Sequence, residues 1–348
     1  MDLLALIERF GEPGAALVAG LALGLAFGVF AQRSAFCTRS AVLDLARGRG
    51  AASFAVWLAG FSVALAAVQW MVHAGTLSLS ETRFFANAQS LSGALAGGLL
   101  FGVGMAMTRG CVSRLVVLAA SGNLRALVSI VIVALAGLAT LTGFLVPLRD
   151  TVNAFWSTGA IGGNELLGHL GLPGIAGVAA GGVLALAAVA VAFASGASAW
   201  RIAGGAGVGL TVAAGWYLSF SLSSLLFDPI PVESLSYIRP LAVTVASIPA
   251  PLSGYGIDQG LILGTLAGAF LAALASGSFR IQGFGAPGAA PAWRYVAGSA
   301  LMGFGGVLAA GCTVGAGLSG GSVLAVSALV ALAAMAAGAV AADRLLDP

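Results

Sequence analysis

A chain of 348 residues that is 59% hydrophobic and 8% charged, with a mean hydropathy of +1.04, lies outside the soluble globular class. Soluble domains carry about 25% charged residues. The net charge of +3 informs orientation rather than partners, and no nucleotide-binding loop or DNA-binding pattern accompanies it. What remains is an all-α polytopic membrane protein, built from apolar runs of about twenty residues that match a hydrocarbon core roughly 30 Å thick.

In chain order, residues 2–10 predict a short interfacial helix with Leu3, Leu6, Ile7 and Phe10 on one side. Asp2, Glu8, Arg9 and Glu12 stand where a secretory signal would be basic. Nine spans are then expected, at about 15–35, 51–72, 92–109, 125–147, 174–195, 202–221, 257–276, 294–310 and 322–342. Residues 148–172, rich in glycine, read as an external loop. Residues 221–256 hold Pro229, Pro231, Pro240, Pro249 and Pro251 around the short apolar run Leu241–Val245. That run cannot cross, so it is either re-entrant or interfacial.

Every basic side chain except the two histidines is arginine. With the N-terminus outside, eleven arginines face inward and four outward, the asymmetry the positive-inside rule asks for. The expected location is therefore a bacterial inner membrane, with the C-terminus cytoplasmic.

The segment Gly97–Cys111 recurs 201 positions later as Gly298–Cys312. Both copies read G-x4-G-x-G-x5-G-C, and six of the fifteen aligned positions are identical. The chain has three cysteines, and two of them close this repeat. With nine spans, residues 1–172 form one half and 201–348 the other, joined by a connecting span at 173–200. An odd connector inverts the halves, an arrangement common in transporters with the binding site at the repeat interface. Gly20-x3-Gly24 and Gly205-x3-Gly209 give a fainter echo.

After Gly110-Cys111 and Gly311-Cys312 come pieces too short to cross, Val112–Ser121 and Thr313–Gly321. Each span is expected to break at its Gly-Cys and continue as a half-helix whose first N–H groups can face an anion. Against this stands the ordinary behaviour of a free cysteine, a small buried hydrophobe; the symmetric placement argues for function at Cys111 and Cys312. Cys37 has no cysteine counterpart in the second half. Arg109 and Arg114 flank Cys111, either as inner-surface anchors or as cations drawing an anion toward the thiol. No metal-ligand spacing or CxxC pair exists, so no cofactor is expected. His73 and His169 fall in outer loops, and Asp258 reads as a loop residue at the start of the seventh span.

Gly20–Cys37, Gly97–Cys111 and Gly298–Cys312 together resemble the YeeE/YedE sulphur-transport family over most of the chain. Leu301-Met302-Gly303-Phe304-Gly305 with Gly311-Cys312 is the most specific part. The resemblance implies a permease that passes thiosulfate along three thiols, which by position are Cys37, Cys111 and Cys312, with Gly110, Gly311 and Arg109 beside them. Relatives usually carry small residues before the first-half Gly-Cys, where this chain has Thr108-Arg109. Other readings are a transporter of sulfite or a selenium species such as selenite, a membrane-embedded thiol or persulfide enzyme, and a scaffold for sulphur-carrier proteins. Because thiosulfate is a dianion, the thiols would act as neutral, weak S–H donors. An inside-negative potential opposes its uptake by roughly 4.6 kcal/mol per 100 mV. That corresponds to interior depletion on the order of 2,000-fold. Net import therefore needs ion coupling or a cytoplasmic sulphurtransferase or sulphur carrier that consumes the ion.

Overall fold

The computed structural model describes residues 3–248, 255–285 and 290–347; Asp2, Pro249 and Pro251 lie outside them. The first half comprises α1 (Leu3–Ser34), α2 (Thr38–Ala46), α3 (Ala52–His73), α4 (Leu91–Met107), α5 (Val112–Ala120) and α6 (Leu124–Leu141). Between the halves lie α7 (Val146–Ala154), α8 (Leu166–Leu170) and α9 (Ile175–Ser195). The second half holds α10 (Ala199–Leu225), α11 (Ile238–Ala246), α12 (Ile257–Ala275), α13 (Ala292–Leu308), a π-helix at Thr313–Gly320 and α14 (Val326–Leu346). Among the described residues, nine helical segments are long and apolar enough to cross a membrane, so the protein is an all-α, multi-pass membrane protein.

Three expectations need correcting. The run read as a span over 125–147 stops at Leu141, because Thr142-Gly143 ends α6 and Pro147 opens α7, where its missing N–H costs nothing. The loop at 148–172 is thus partly helical. The short helix expected at 2–10 is seen over 3–10, set off from the rest of α1 by a break at Gly11 (φ 71°, ψ 173°), and its Leu3 and Ile7 pack against the cluster of Ala19, Leu222 and Leu226. Asp258 is not a loop residue: it sits in the first turn of α12.

The halves are inverted, and the packing of α4 on α13 proves it. Gly97 lies against the Gly305 carbonyl and Gly104 against the Gly298 carbonyl, so these equivalent helices cross antiparallel. Adding 201 to one member and subtracting it from the other turns the first contact into the second. The axis relating the copies therefore runs across the helices, in the membrane plane. Other pairs between the halves obey the same exchange. α1 packs on α12 as α10 packs on α3, α4 on α14 as α13 on α6, and α6 on α11 as α14 on α2.

Glycine brings these pairs together. A Cβ at Gly20, Gly24 or Gly28 would lie 2.3–2.4 Å from the carbonyl oxygens of Ile257, Leu261 and Thr265, and Gly260, Gly264 and Gly268 approach α1 as closely. Gly205 and Gly209 repeat the arrangement against Val56 and Gly60 of α3. In lipid, helix association rests on such close contact because burial of apolar surface supplies no drive between helices.

Candidate functional site

Each thiol begins a short helix that follows a sharp reversal. α1 ends at Ser34, Ala35 turns left-handed (φ 54°), and Cys37 is the N-cap of α2. α4 ends at Met107, Arg109 turns left-handed (φ 60°), and Cys111 caps α5. α13 ends at Leu308, Ala310 turns left-handed (φ 53°), Gly311 follows at φ 155°, and Cys312 caps the π-helix. A left-handed residue two positions before every cysteine costs roughly 1–2 kcal/mol when it is not glycine. At α1 and α13 the N–H after it satisfies the carbonyl five residues back, Phe36 to Ala31 at 3.1 Å and Gly311 to Gly306 at 2.8 Å. That is the Schellman pattern for closing a helix end.

The three cysteines are free and buried in one core. Cys37 and Cys111, distant in sequence, meet as neighbouring thiols. The backbone N–H groups of Ser40 and Arg114 face their sulphurs without the alignment of a capping bond. The Gly315 N–H closes such a bond with Cys312 Sγ at 3.5 Å. Cys312 sits among the backbone of Val314, Gly315 and Tyr237 and within the charge of Arg83. α11, the short run read as re-entrant or interfacial, is a nine-residue helix packed on α6 and α12. Its N-cap is the fully buried Tyr237, whose backbone faces Cys312. Four short-helix starts thus converge in the core.

The family model for sulphur transport matches residues 33–341. The chain belongs to the YeeE/YedE sulphur transport family. No curated protein matches it. Membership makes it a transporter of a sulphur species, and the matched span contains all three thiols.

In this transporter Gly110 and Gly311 sit in the reversals themselves, each directly before its thiol. Arg109 lies at a mouth, pairing with Asp347 at 3.7 Å and lining a cavity of about 150 Å³ with Thr108, Arg125 and Tyr295. The guanidinium that reaches both Cys37 and Cys111 is Arg114. Asp347 also accepts from Arg294 at 3.0 and 3.1 Å, which holds its carboxyl below the usual range. Asp343 gathers Arg39 and Arg47 beside it. On the opposite face Glu233 bridges Arg83 and Arg239, and Arg239 also meets Asp258 at 3.2 Å. A cavity of about 100 Å³ there is lined by Arg83, Ser236, Arg239 and Gly311, the residue before Cys312. His73 closes α3 and His169 bonds the Gly163 carbonyl at 3.1 Å.

Sequence reasoning missed Tyr237, Arg39 and the dominance of Arg114. One signal was available: Phe36-Cys37-Thr38-Arg39 and Ser236-Tyr237-Ile238-Arg239 stand 200 positions apart, each opening a nine-residue helix with arginine second.

Proposed function

We propose that the protein imports thiosulfate by relay through Cys312, Cys111 and Cys37, with Gly110 and Gly311 supplying the tight turns beside them. The observation that carries this reading is that all three thiols cap short helices whose N-termini meet in the core. A helix start leaves backbone N–H groups without partners and carries a partial positive charge of up to about half a unit. At α2, α5 and α11 no side-chain cap closes those groups. Such ends favour an anion, and neutral thiols add weak donors that release what they bind. Arg83 and Arg239 lead in from one face, while Arg114 and Arg39 draw the ion onward. Arg109 acts at the inner mouth, attracting the ion as it leaves.

The same reading puts the protein in a bacterial inner membrane with the N-terminus outside, residues 1–172 and 201–348 as repeats, and 173–200 as connector. A cytoplasmic sulphurtransferase or sulphur carrier consumes the product and so drives net uptake. Radiolabelled uptake into proteoliposomes, thiosulfate against sulfate and sulfite, tests it. Thiosulfate is expected to win. Equal rates for the three, or preference for sulfite, would replace the substrate.

The contact between Cys37 and Cys111 favours one further reading, a membrane thiol enzyme in which one of them attacks the outer sulphur of thiosulfate, breaking its S–S bond to form a persulfide and release sulfite. Incubation with thiosulfate followed by persulfide-specific labelling distinguishes the two: a persulfide that accumulates at Cys37 or Cys111 supports the enzyme.

Within the relay, Cys37→Ser retains more uptake than Cys37→Ala, since a hydroxyl still donates a hydrogen bond. A packing cysteine gives the reverse order, because burying a hydroxyl without a partner is costly and alanine is not. Uptake at matched membrane abundance decides between them, and wild-type rates in both variants would remove Cys37 from the path.

A further inference from the structure

Tyr237 occupies in the second half the place that Cys37 holds in the first. Each residue is the N-cap of a nine-residue helix, and each is followed by an arginine two positions on. Where the repeat would deliver a fourth thiol, this chain puts a bulky ring. The ring is fully buried and packs on Phe27, with centroids 5.2 Å apart. The Tyr237 backbone faces Cys312, and its phenol lies within charge range of Cys111 as well. The cavity beside Arg83 ends at Ser236, Ile238 and Gly311, the neighbours of Tyr237 and of Cys312. The cavity from that face therefore reaches the residues on either side of Tyr237 in the chain.

The hydroxyl shows how the ring is held. Thr265 Oγ1 donates to the Leu261 carbonyl at 2.7 Å, so its bond to the Tyr237 hydroxyl, at 2.9 Å, has the tyrosine as donor. The phenolic proton is thereby committed to α12 and is no donor for an anion. Thr265 itself is buried where α1 and α12 pack closest, against Gly28. A ring latched to a fixed helix is a barrier with a defined release: break one hydrogen bond and the side chain can turn.

From this geometry we infer that Tyr237 is a selectivity plug between two thiol stations, Cys312 on one side and the Cys111–Cys37 pair on the other. Passage requires the ring to leave its bond with Thr265, and an ion that gains little from the thiols beyond it does not displace it. The inference rests on the thiols forming the transport path, and it is independent of which sulphur species travels.

Accessibility of single thiols tests it. Variants retaining only Cys111 or only Cys312 are treated with a membrane-impermeant, negatively charged methanethiosulfonate reagent, in right-side-out and in inside-out vesicles. The expected result is that Cys312 reacts from the Arg83 face and Cys111 from the Arg109 face, each at least about tenfold faster than from the other side, a latch worth about 1.4 kcal/mol or more. Tyr237→Ala opens Cys111 to reagent from the Arg83 face, Thr265→Val does so in part, and Tyr237→Phe behaves as Thr265→Val. In transport, Tyr237→Ala narrows the preference for thiosulfate over sulfate. Two-sided reaction of Cys111 with Tyr237 intact overturns the plug. So does one-sided or absent reaction in a Tyr237→Ala protein that elutes as folded. A protein that fails to carry thiosulfate but keeps the one-sided pattern sinks the substrate assignment and leaves the plug standing.

Discussion

Cys111→Ala and Cys312→Ala each lower thiosulfate uptake by more than about tenfold, while membrane abundance and melting temperature stay near wild type. A donor to a charged partner contributes roughly 1.5–3 kcal/mol, which as a barrier term is a factor of about ten to more than a hundred. Stability barely moves because the thiol contributes little volume, so its loss leaves only a small cavity. Cys312 forfeits in addition its 3.5 Å bond from the Gly315 N–H, at the mouth of a π-helix, so its variant is the more sensitive of the two to heat. Uptake by reconstituted protein, normalised to folded transporter, provides the measurement. Wild-type uptake in the double variant would make both cysteines packing residues and move the path elsewhere.

Much of this architecture is legible in the chain because the repeat is written in glycine. Gly97, Gly102 and Gly104 recur as Gly298, Gly303 and Gly305 since backbone must approach backbone at each, and no other residue fits. Span number and the broken helices at Cys111 and Cys312 follow from the same pattern. The faint Gly20 and Gly205 echo was equally real, each glycine lying within 2.4 Å (as a Cβ) of a carbonyl on its partner helix. What stayed hidden was chemistry that does not repeat. The contact of Cys37 with Cys111 spans two reversals whose left-handed residues, Ala35 and Arg109, share no residue type. Neither is a glycine, so the turn leaves no mark in composition. Tyr237 was hidden for a related reason: the backbone position is duplicated while the side chain is not, and its proline-rich approach reads as loop. The carboxylate partners Asp343, Asp347 and Glu233 were passed over, and Asp258 was read as a loop residue, because each lies near a helix end or in a loop, where charge is ordinary.

The antiparallel crossing of α4 and α13 yields the largest expected loss of stability. Gly104→Val removes most of the folded transporter from the membrane, and Gly104→Ala lowers the melting temperature in detergent by several degrees. A Cβ at Gly104 would lie 2.3 Å from the Gly298 carbonyl oxygen and 2.8 Å from Met302 Cγ; one at Gly298 would lie 2.8 Å from the Gly104 oxygen. Methionine can turn aside, but a carbonyl in the facing helix cannot, so the two helices must separate. Overpacking of this kind costs about 1–3 kcal/mol for one added group and more for a branched one. Separation also loosens the reversals at Cys111 and Cys312, which hang from the ends of these same helices, so transport falls further than abundance. Gly182 on α9 is the control, because a Cβ there meets nothing within 4 Å. Gly182→Ala is expected to leave both melting temperature and uptake unchanged, and to gain slightly from helix propensity. Fluorescence-detected size exclusion after heating, run on Gly104→Ala beside Gly182→Ala, separates crossing from composition. Identical melting curves would mean that α4 and α13 are not held at backbone contact, and the pseudo-twofold axis between them would lose its strongest support.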